Sequence, residues 1–146
     1  MSTAVVGSVL DSIRSGLVAV TALKDVNVFS GPVPLDEAGL ECVAFGDARL
    51  AEEPAAMGGE REERWTVDGE IRVLKSWEGT TETTIAAART RALAIYAAVE
   101  TYINDTYTGS LPDVSMSDGE LRQSYLPDGR VCSVLFSVLI VQLKNP

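Results

Sequence analysis

The chain contains no histidine among its 146 residues. That absence removes the side chain that most often serves as a general base and as a zinc ligand, and it excludes Ser-His and Cys-His catalytic couples. The glycine-rich phosphate-binding motifs and the GxSxG nucleophile motif are also missing. We therefore expect no enzymatic activity, no cofactor and no metal site.

Cysteine is scarce, and no apolar run is long enough to cross a membrane. Cys42 and Cys132 lie in separate apolar segments without CxxC spacing, which predicts two buried free thiols. No segment approaches the roughly 20 apolar residues that span a bilayer. Because the N-terminus also lacks the basic start of a signal peptide, we expect the chain to stay in the cytoplasm where it is made.

Basic residues are few, with 12 Lys and Arg against 21 Asp and Glu, and the net charge is −9. Between Asp36 and Glu63 nine acids face only Arg49 and Arg61, a local balance of −7. A surface of this sign is repelled by phosphate backbones, so we do not expect specific nucleic-acid binding. Nothing around the acids predicts the burial that tunes a catalytic carboxylate, and solvated loop charge is the preferred interpretation.

One string has the alternating oxygens of a calcium loop, from Asp113 to Glu120. Its glycine, Gly119, stands one place late, and Ser124 occupies the position of the bidentate glutamate. This string therefore does not predict a metal site.

The most informative segment present is VCSVLFSVLIVQL, thirteen uncharged residues from Val131 to Leu143. As a strand it would measure about 40 Å and would be apolar on both faces. One face carries Cys132, Val134, Phe136, Val138 and Ile140, and the other carries Val131, Leu135, Leu139, Val141 and Leu143. The first face can join the core of the domain, whereas the second needs another layer or another copy of the protein.

Two Asp-Gly dipeptides give opposite predictions. A turn at Asp68-Gly69 would mix apolar and charged residues on one face of the sheet. A continuous strand instead places five apolar residues on one side, Trp65, Val67, Ile71, Val73 and Trp77. We therefore predict one long strand with Gly69 as a bend or bulge. A turn at Asp128-Gly129 gives a consistent hairpin of residues 120–126 with 130–143. That hairpin would place Tyr125 opposite Cys132 and Leu121 opposite Phe136.

The remaining pattern predicts two amphipathic helices, at about 3–23 and 81–104, the second capped by Thr80 or Thr81. Short strands are expected at Val26 to Phe29 and Cys42 to Phe45, and a long acidic loop at about 47–60. The predicted fold is a single α+β domain over residues 1–146. Its two helices pack on a mostly antiparallel sheet that ends in a long hairpin.

A family resemblance rests on this layout and on short strings within it. The strings are GPVP at 31–34, VAFG at 43–46, REERWTV at 61–67, IRV at 71–73 and WEG at 77–79, followed by an alanine-rich helix and the apolar hairpin. In these features the chain resembles the tail terminator proteins of long-tailed bacteriophages over nearly its whole length.

Proteins of that family form hexameric rings that cap the tail tube, end its polymerisation and present the surface to which the filled head is joined. The resemblance implies a structural protein of the virion tail or neck, synthesised in the host cytoplasm. Its partners would be further copies of itself, the tail tube protein and a head-completion or connector protein. DNA would pass through the ring without specific binding, and the family has no catalytic residues to carry over.

We expect three sets of residues to act in such an assembly. Neighbouring subunits are expected to bury Leu139 and Val141, with Trp65 and Trp77 nearby. The acidic loop is expected to settle on a partner through Glu52, Glu53 and Met57. Acids expected to line or rim a channel are Glu60, Glu62 and Glu63.

Two other functions are compatible with the residues. Another neck protein, such as a head-closure protein or connector adaptor, would have a similar size. A small ligand-binding or enzymatic α+β domain could work through carboxylates and hydroxyls alone. Particle size in solution separates the ring protein from the pocket protein.

Overall fold

Two helices and five strands form in the part of the chain that the computed structural model describes, residues 2–34, 39–54, 61–107 and 112–144. Side chains are described at 6–34, 39–51, 62–107 and 112–142. The helices are α1 (Ser2–Val18) and α2 (Thr81–Tyr107). The strands are β1 (Asn27–Phe29), β2 (Glu41–Pro54), β3 (Arg61–Ser76), β4 (Asp113–Leu126) and β5 (Gly129–Lys144).

The strands form one sheet in the order β1-β2-β3-β5-β4. The β1–β2 pair is parallel, and the other three pairs are antiparallel. At the centre β3 and β5 pair along their whole length, from Arg61 opposite Lys144 to Ser76 opposite Gly129. This arrangement confirms the predicted α+β class, the mostly antiparallel sheet and the closing hairpin.

Both helices contribute to a single core on one face of the sheet. From β5 the core receives the five residues that the alternation assigned to the inner face, Cys132, Val134, Phe136, Val138 and Ile140. The buried stripe of α2 consists of Thr84, Ala88, Ala92, Ile95, Val99 and Ile103. Small alanines in that stripe allow the helix to lie close to the sheet.

The helix termini follow local hydrogen bonding. Thr80 caps α2, because its Oγ1 accepts the backbone N–H of Thr83 at 3.1 Å. The first helix ends at Val18, earlier than predicted, because i→i−3 bonds such as Val20 N to Leu17 O at 3.0 Å tighten its last turn. A short 3-10 turn then covers Thr21–Leu23.

Residues 47–54 belong to β2 and not to the predicted acidic loop. The first half of β3 has backbone groups that need a partner, and β2 supplies it from Ala48 opposite Val67 to Pro54 opposite Arg61. A β-bulge between Phe45 and Ala48 sets this register. Residues 55–60 lie outside the described part of the chain.

The continuous β3 strand is confirmed, but Gly69 is not its bulge. Gly69 pairs in regular register with Phe45 on β2 and Phe136 on β5, and the bulge lies in β2. A Cβ at Gly69 would lie 2.4 Å from the ring of Phe136. That ring also packs edge-on against Phe45 at 6.1 Å and Tyr96 at 6.0 Å. The glycine therefore makes room for the central aromatic ring of the core.

The hairpin forms with a register two residues away from the predicted one. Tyr125 lies opposite Arg130 and Leu121 opposite Val134, because the two-residue turn is Pro127-Asp128 and not Asp128-Gly129. A shift of two residues keeps every side chain on its predicted face. The string from Asp113 to Glu120 is part of β4, where alternate side chains point to opposite faces.

The tight contact between Gly69 and Phe136 gives a stability prediction. Gly69→Ala should lower the free energy of unfolding by about 1–3 kcal/mol, because the new methyl group would overlap a buried ring that packs against Phe45 and Tyr96. Urea unfolding measures this change. Gly7→Ala is the control, because a Cβ at Gly7 of α1 meets nothing within 4 Å.

Combining Gly69→Ala with Phe136→Leu should cost less than the sum of the two single changes, since the smaller side chain removes the clash. Additive costs for the pair, or a neutral Gly69→Ala, would contradict this account of the glycine.

Candidate functional site

The second face of the sheet carries neither helix in the described structure, and we call it the bare face. Its centre is a stripe of partly exposed β5 residues, Val131, Leu135, Leu139 and Val141. None of the four belongs to the core cluster or packs against it. Pro32 and Val33 approach the face from the β2 side, where they line a cavity of about 200 Å³ with Leu135. The stripe is thus apolar surface that the domain leaves open.

Ion pairs frame this stripe. Arg72 and Glu70 pair at 3.1 Å, as do Arg122 and Glu120. Arg49 of β2 and Asp68 of β3 pair at 3.0 Å. Hydrogen bonding from the Arg49 guanidinium lowers the pKa of the Asp68 carboxyl group. The full set is Arg49 with Asp68, Arg64 with Glu62, Arg72 with Glu70, and Arg122 with Glu120. Each described arginine on the bare face therefore has a carboxylate beside it.

Three of these pairs share one sequence pattern, Glu-x-Arg, at 62–64, 70–72 and 120–122. Residues two apart on a strand project on the same side, so the pattern places each acid beside its arginine. These ion pairs are not among the site residues predicted from the sequence. The strand assignment together with the repeated Glu-x-Arg spacing would have predicted them.

The structure separates the four residues expected at a subunit interface. Leu139 and Val141 lie on the bare face. Trp65 lies on the opposite, helix-covered face and packs against the core. Trp77 follows the far end of β3, is 38% exposed, and donates from Nε1 to the carbonyl oxygen of Leu126 at 3.3 Å. Only Leu139 and Val141 of this set therefore share one surface.

The residues expected in a partner-binding loop fall in two places. Glu52 and Glu53 lie on β2, with backbones opposite those of Glu63 and Glu62 on β3. Met57 lies outside the described residues. The first part of the expected loop, residues 47–54, is therefore strand and not loop.

The expected channel acids also divide. Glu62 is partly exposed on the bare face beside Arg64, and Glu60 lies outside the described residues. Glu63 is 0% exposed and accepts a hydrogen bond from Nε2 of Gln142 at 2.7 Å. Odd-numbered residues of β3 face the helices, so Glu63 points into the domain. Its burial differs from the exposed position that a channel acid requires.

Other kinds of site are not formed by the described residues. No group of three or more Cys, Asp or Glu residues among them could hold a metal ion. Within the same ranges, neither helix is long and apolar enough to span a membrane.

Comparisons with known proteins leave the family open. No protein-family model matches the chain, and no curated protein matches it. A solved structure titled "Virion of native gene transfer agent (GTA) particle" contains a chain similar to this one, at 19% identity and a TM-score of 0.48. The match covers 88% of this chain and 91% of that one. At this identity and TM-score it assigns no function.

The two cysteines are free and buried, as predicted. Burial raises the pKa of both thiols, Cys42 and Cys132, so little of the reactive thiolate forms. We expect neither to react with a disulfide reagent in the folded protein at pH 8, and both to react in guanidinium. Absorbance of the released thiol measures this. Rapid reaction in the native state would show that the structure opens locally around the cysteine that reacts.

Proposed function

We propose that the chain is a structural subunit of a tailed-phage particle and acts as a tail terminator. Copies of it form a ring, expected to be sixfold, that caps the tail tube, ends its polymerisation and provides the surface for head joining. The observation that carries this proposal is the bare face. An apolar stripe at the centre of a sheet, left open by the domain's own helices, is a surface for another subunit.

The anatomy of the bare face supports a protein partner. Stable interfaces have an apolar centre and a polar rim, and the stripe on β5 with its flanking ion pairs has that arrangement. Fully burying one Val or Leu side chain contributes about 1.5–3 kcal/mol, and burying the exposed part of each of these four partly exposed residues would contribute a fraction of that amount.

The distribution of charge also favours the bare face as the surface that contacts another subunit. The chain has a net charge of −9, so two copies repel each other over most of their surfaces. On the bare face each described arginine is neutralised by a neighbouring acid. A second copy, or a tail tube subunit, can approach there without a strong like-charge penalty.

The proposed place in the particle is the tail or neck, after synthesis in the host cytoplasm. The partners are further copies of the chain, the tail tube protein and a head-completion or connector protein. Contacts between copies close into a ring when the head-to-tail rotation permits. The ring is proposed to let DNA pass without binding it, whereas Glu62, paired with Arg64, belongs to the polar rim of the bare face.

Changing the stripe tests the proposal. Leu139→Asp and Val141→Asp should each lower the fraction of assembled particles, because either places an unpaired charge in the proposed interface. Size-exclusion chromatography with light scattering measures the particle mass, and circular dichroism checks the fold. Leu93→Asp on α2 is the matched control, because Leu93 is exposed but lies off the bare face.

The function itself is tested by adding the protein to polymerising tail tube protein. A terminator should arrest tube growth and cap tube ends in electron micrographs, and Leu139→Asp should do neither. Protein that binds purified heads but not tube ends would identify another neck protein. Stripe variants that form particles of wild-type mass would refute the proposed interface.

We expect the isolated protein to bind duplex DNA no better than background at physiological salt. Its net charge is −9, and the arginines described on its bare face are paired, so phosphates find no free cation there. A gel-shift series across salt concentrations measures this. Salt-sensitive binding by the wild-type protein would contradict the proposed channel.

A further inference from the structure

Both edges of the sheet are open in the described structure. On one side β1 covers β2 only from Cys42 to Ala44, so the rest of β2 has β3 as its one described partner. On the other side β4 pairs with β5 alone. Each of these edge strands therefore presents a row of backbone N–H and C=O groups without a described strand partner.

Each open edge contains one regular run beyond its bulge. Residues 48–54 of β2 pair continuously with β3, and residues 120–126 of β4 pair continuously with β5. Each run has seven paired residues, a length of about 23 Å. We call these two runs the β2 edge and the β4 edge.

Glu52, Glu53 and Pro54 on the β2 edge and the bulge before each run give partial protection, and both runs also carry exposed apolar side chains. Neither run contains lysine, the charge that most often protects an edge strand. Leu50 on the β2 edge is 42% exposed, and on the β4 edge Leu121 is 38% and Tyr125 is 73% exposed. Arg49 and Arg122, the arginines of the two runs, are already paired with acids.

We propose that the β4 edge of one copy pairs with the β2 edge of the next, which joins the sheets of neighbouring subunits. This inference rests on the proposed ring and names the contact that closes it. Because the two edges are different surfaces on opposite sides of one sheet, each copy can use both at once. A contact of this head-to-tail kind continues from copy to copy until it closes. The occupant of each edge is thus a second copy of this chain.

The positions of the runs determine how the subunits are offset. The β2 edge lies beside residues 61–67 of β3, whereas the β4 edge is level with residues 70–76. The difference is nine residues, or about 30 Å along the strand direction. A constant offset of this kind tilts the strands with respect to the axis of a closed sheet, as in β-barrels.

Edge pairing does not itself cover the bare face. The β5 stripe lies one strand in from the β4 edge, so it is two strand spacings, about 10 Å, from a β2 strand added there. An added strand extends the sheet and covers neither of its faces, and the β4 edge lies beside residues 129–135 of β5, so Leu139 and Val141 lie beyond it. The edge contact and the stripe contact are therefore separate surfaces of the subunit.

Two charged variants test the edges. Leu50→Lys and Tyr125→Lys should each raise the concentration for half-assembly about tenfold or more, because each puts an unpaired cation into the new strand pair. Leu93→Lys is the matched control, since Leu93 is 44% exposed and lies on α2, away from both edges. Sedimentation velocity over a range of concentrations measures the particle distribution.

Mixing the two variants distinguishes a head-to-tail contact from a symmetric one. Each variant keeps one intact edge, so the mixture should form heterodimers through the two intact edges but no closed rings. If Leu50→Lys and Tyr125→Lys assemble as the wild type does, edge pairing is wrong and the ring proposal stands. If the wild-type protein stays monomeric alone and with tail tubes, both are wrong.

Discussion

The pairing of β3 with β5 is the constraint on which the rest of the structure depends. This central pair runs from Arg61 opposite Lys144 to Ser76 opposite Gly129, with β2 and β1 added on the β3 side and β4 on the β5 side. The β5 strand is apolar on both faces, and both helices pack on the same face of the sheet. Apolar side chains of β5 therefore remain on the other face. The surface left open on the other side is therefore a direct consequence of the β5 sequence.

Features set by alternation could be predicted from the sequence. The inner and outer faces of β5 and the continuity of β3 both depend on side-chain periodicity, which the local sequence contains. The predicted hairpin register was wrong by two residues. A shift of two residues leaves the periodicity unchanged, so the periodicity could not distinguish the two registers. Periodicity determines faces, whereas the turn determines register.

Features set by distant partners could not be predicted. Residues 47–54 have no clear period, and they form a strand because the first half of β3 needs a partner on that side. Glu63 looks like one of several solvated acids, yet the register places it opposite Gln142 and under the helices. Gly69 suggests a bulge when read alone, and only the position of Phe136 explains why a side chain is excluded there.

The Glu-x-Arg repeats explain how an acidic chain can have one face that is close to neutral. An acidic chain that assembles with itself has to bring like-charged copies together, and the cost is lowest where charges are already paired. On strands, an acid and an arginine two residues apart form that pair without help from another element, as at 70–72 and 120–122. The pair at 120–122 is exposed and contributes little to folding stability, whereas the pair at 70–72 is partly buried. Their effect is to keep the bare face close to neutral while the rest of the chain stays acidic.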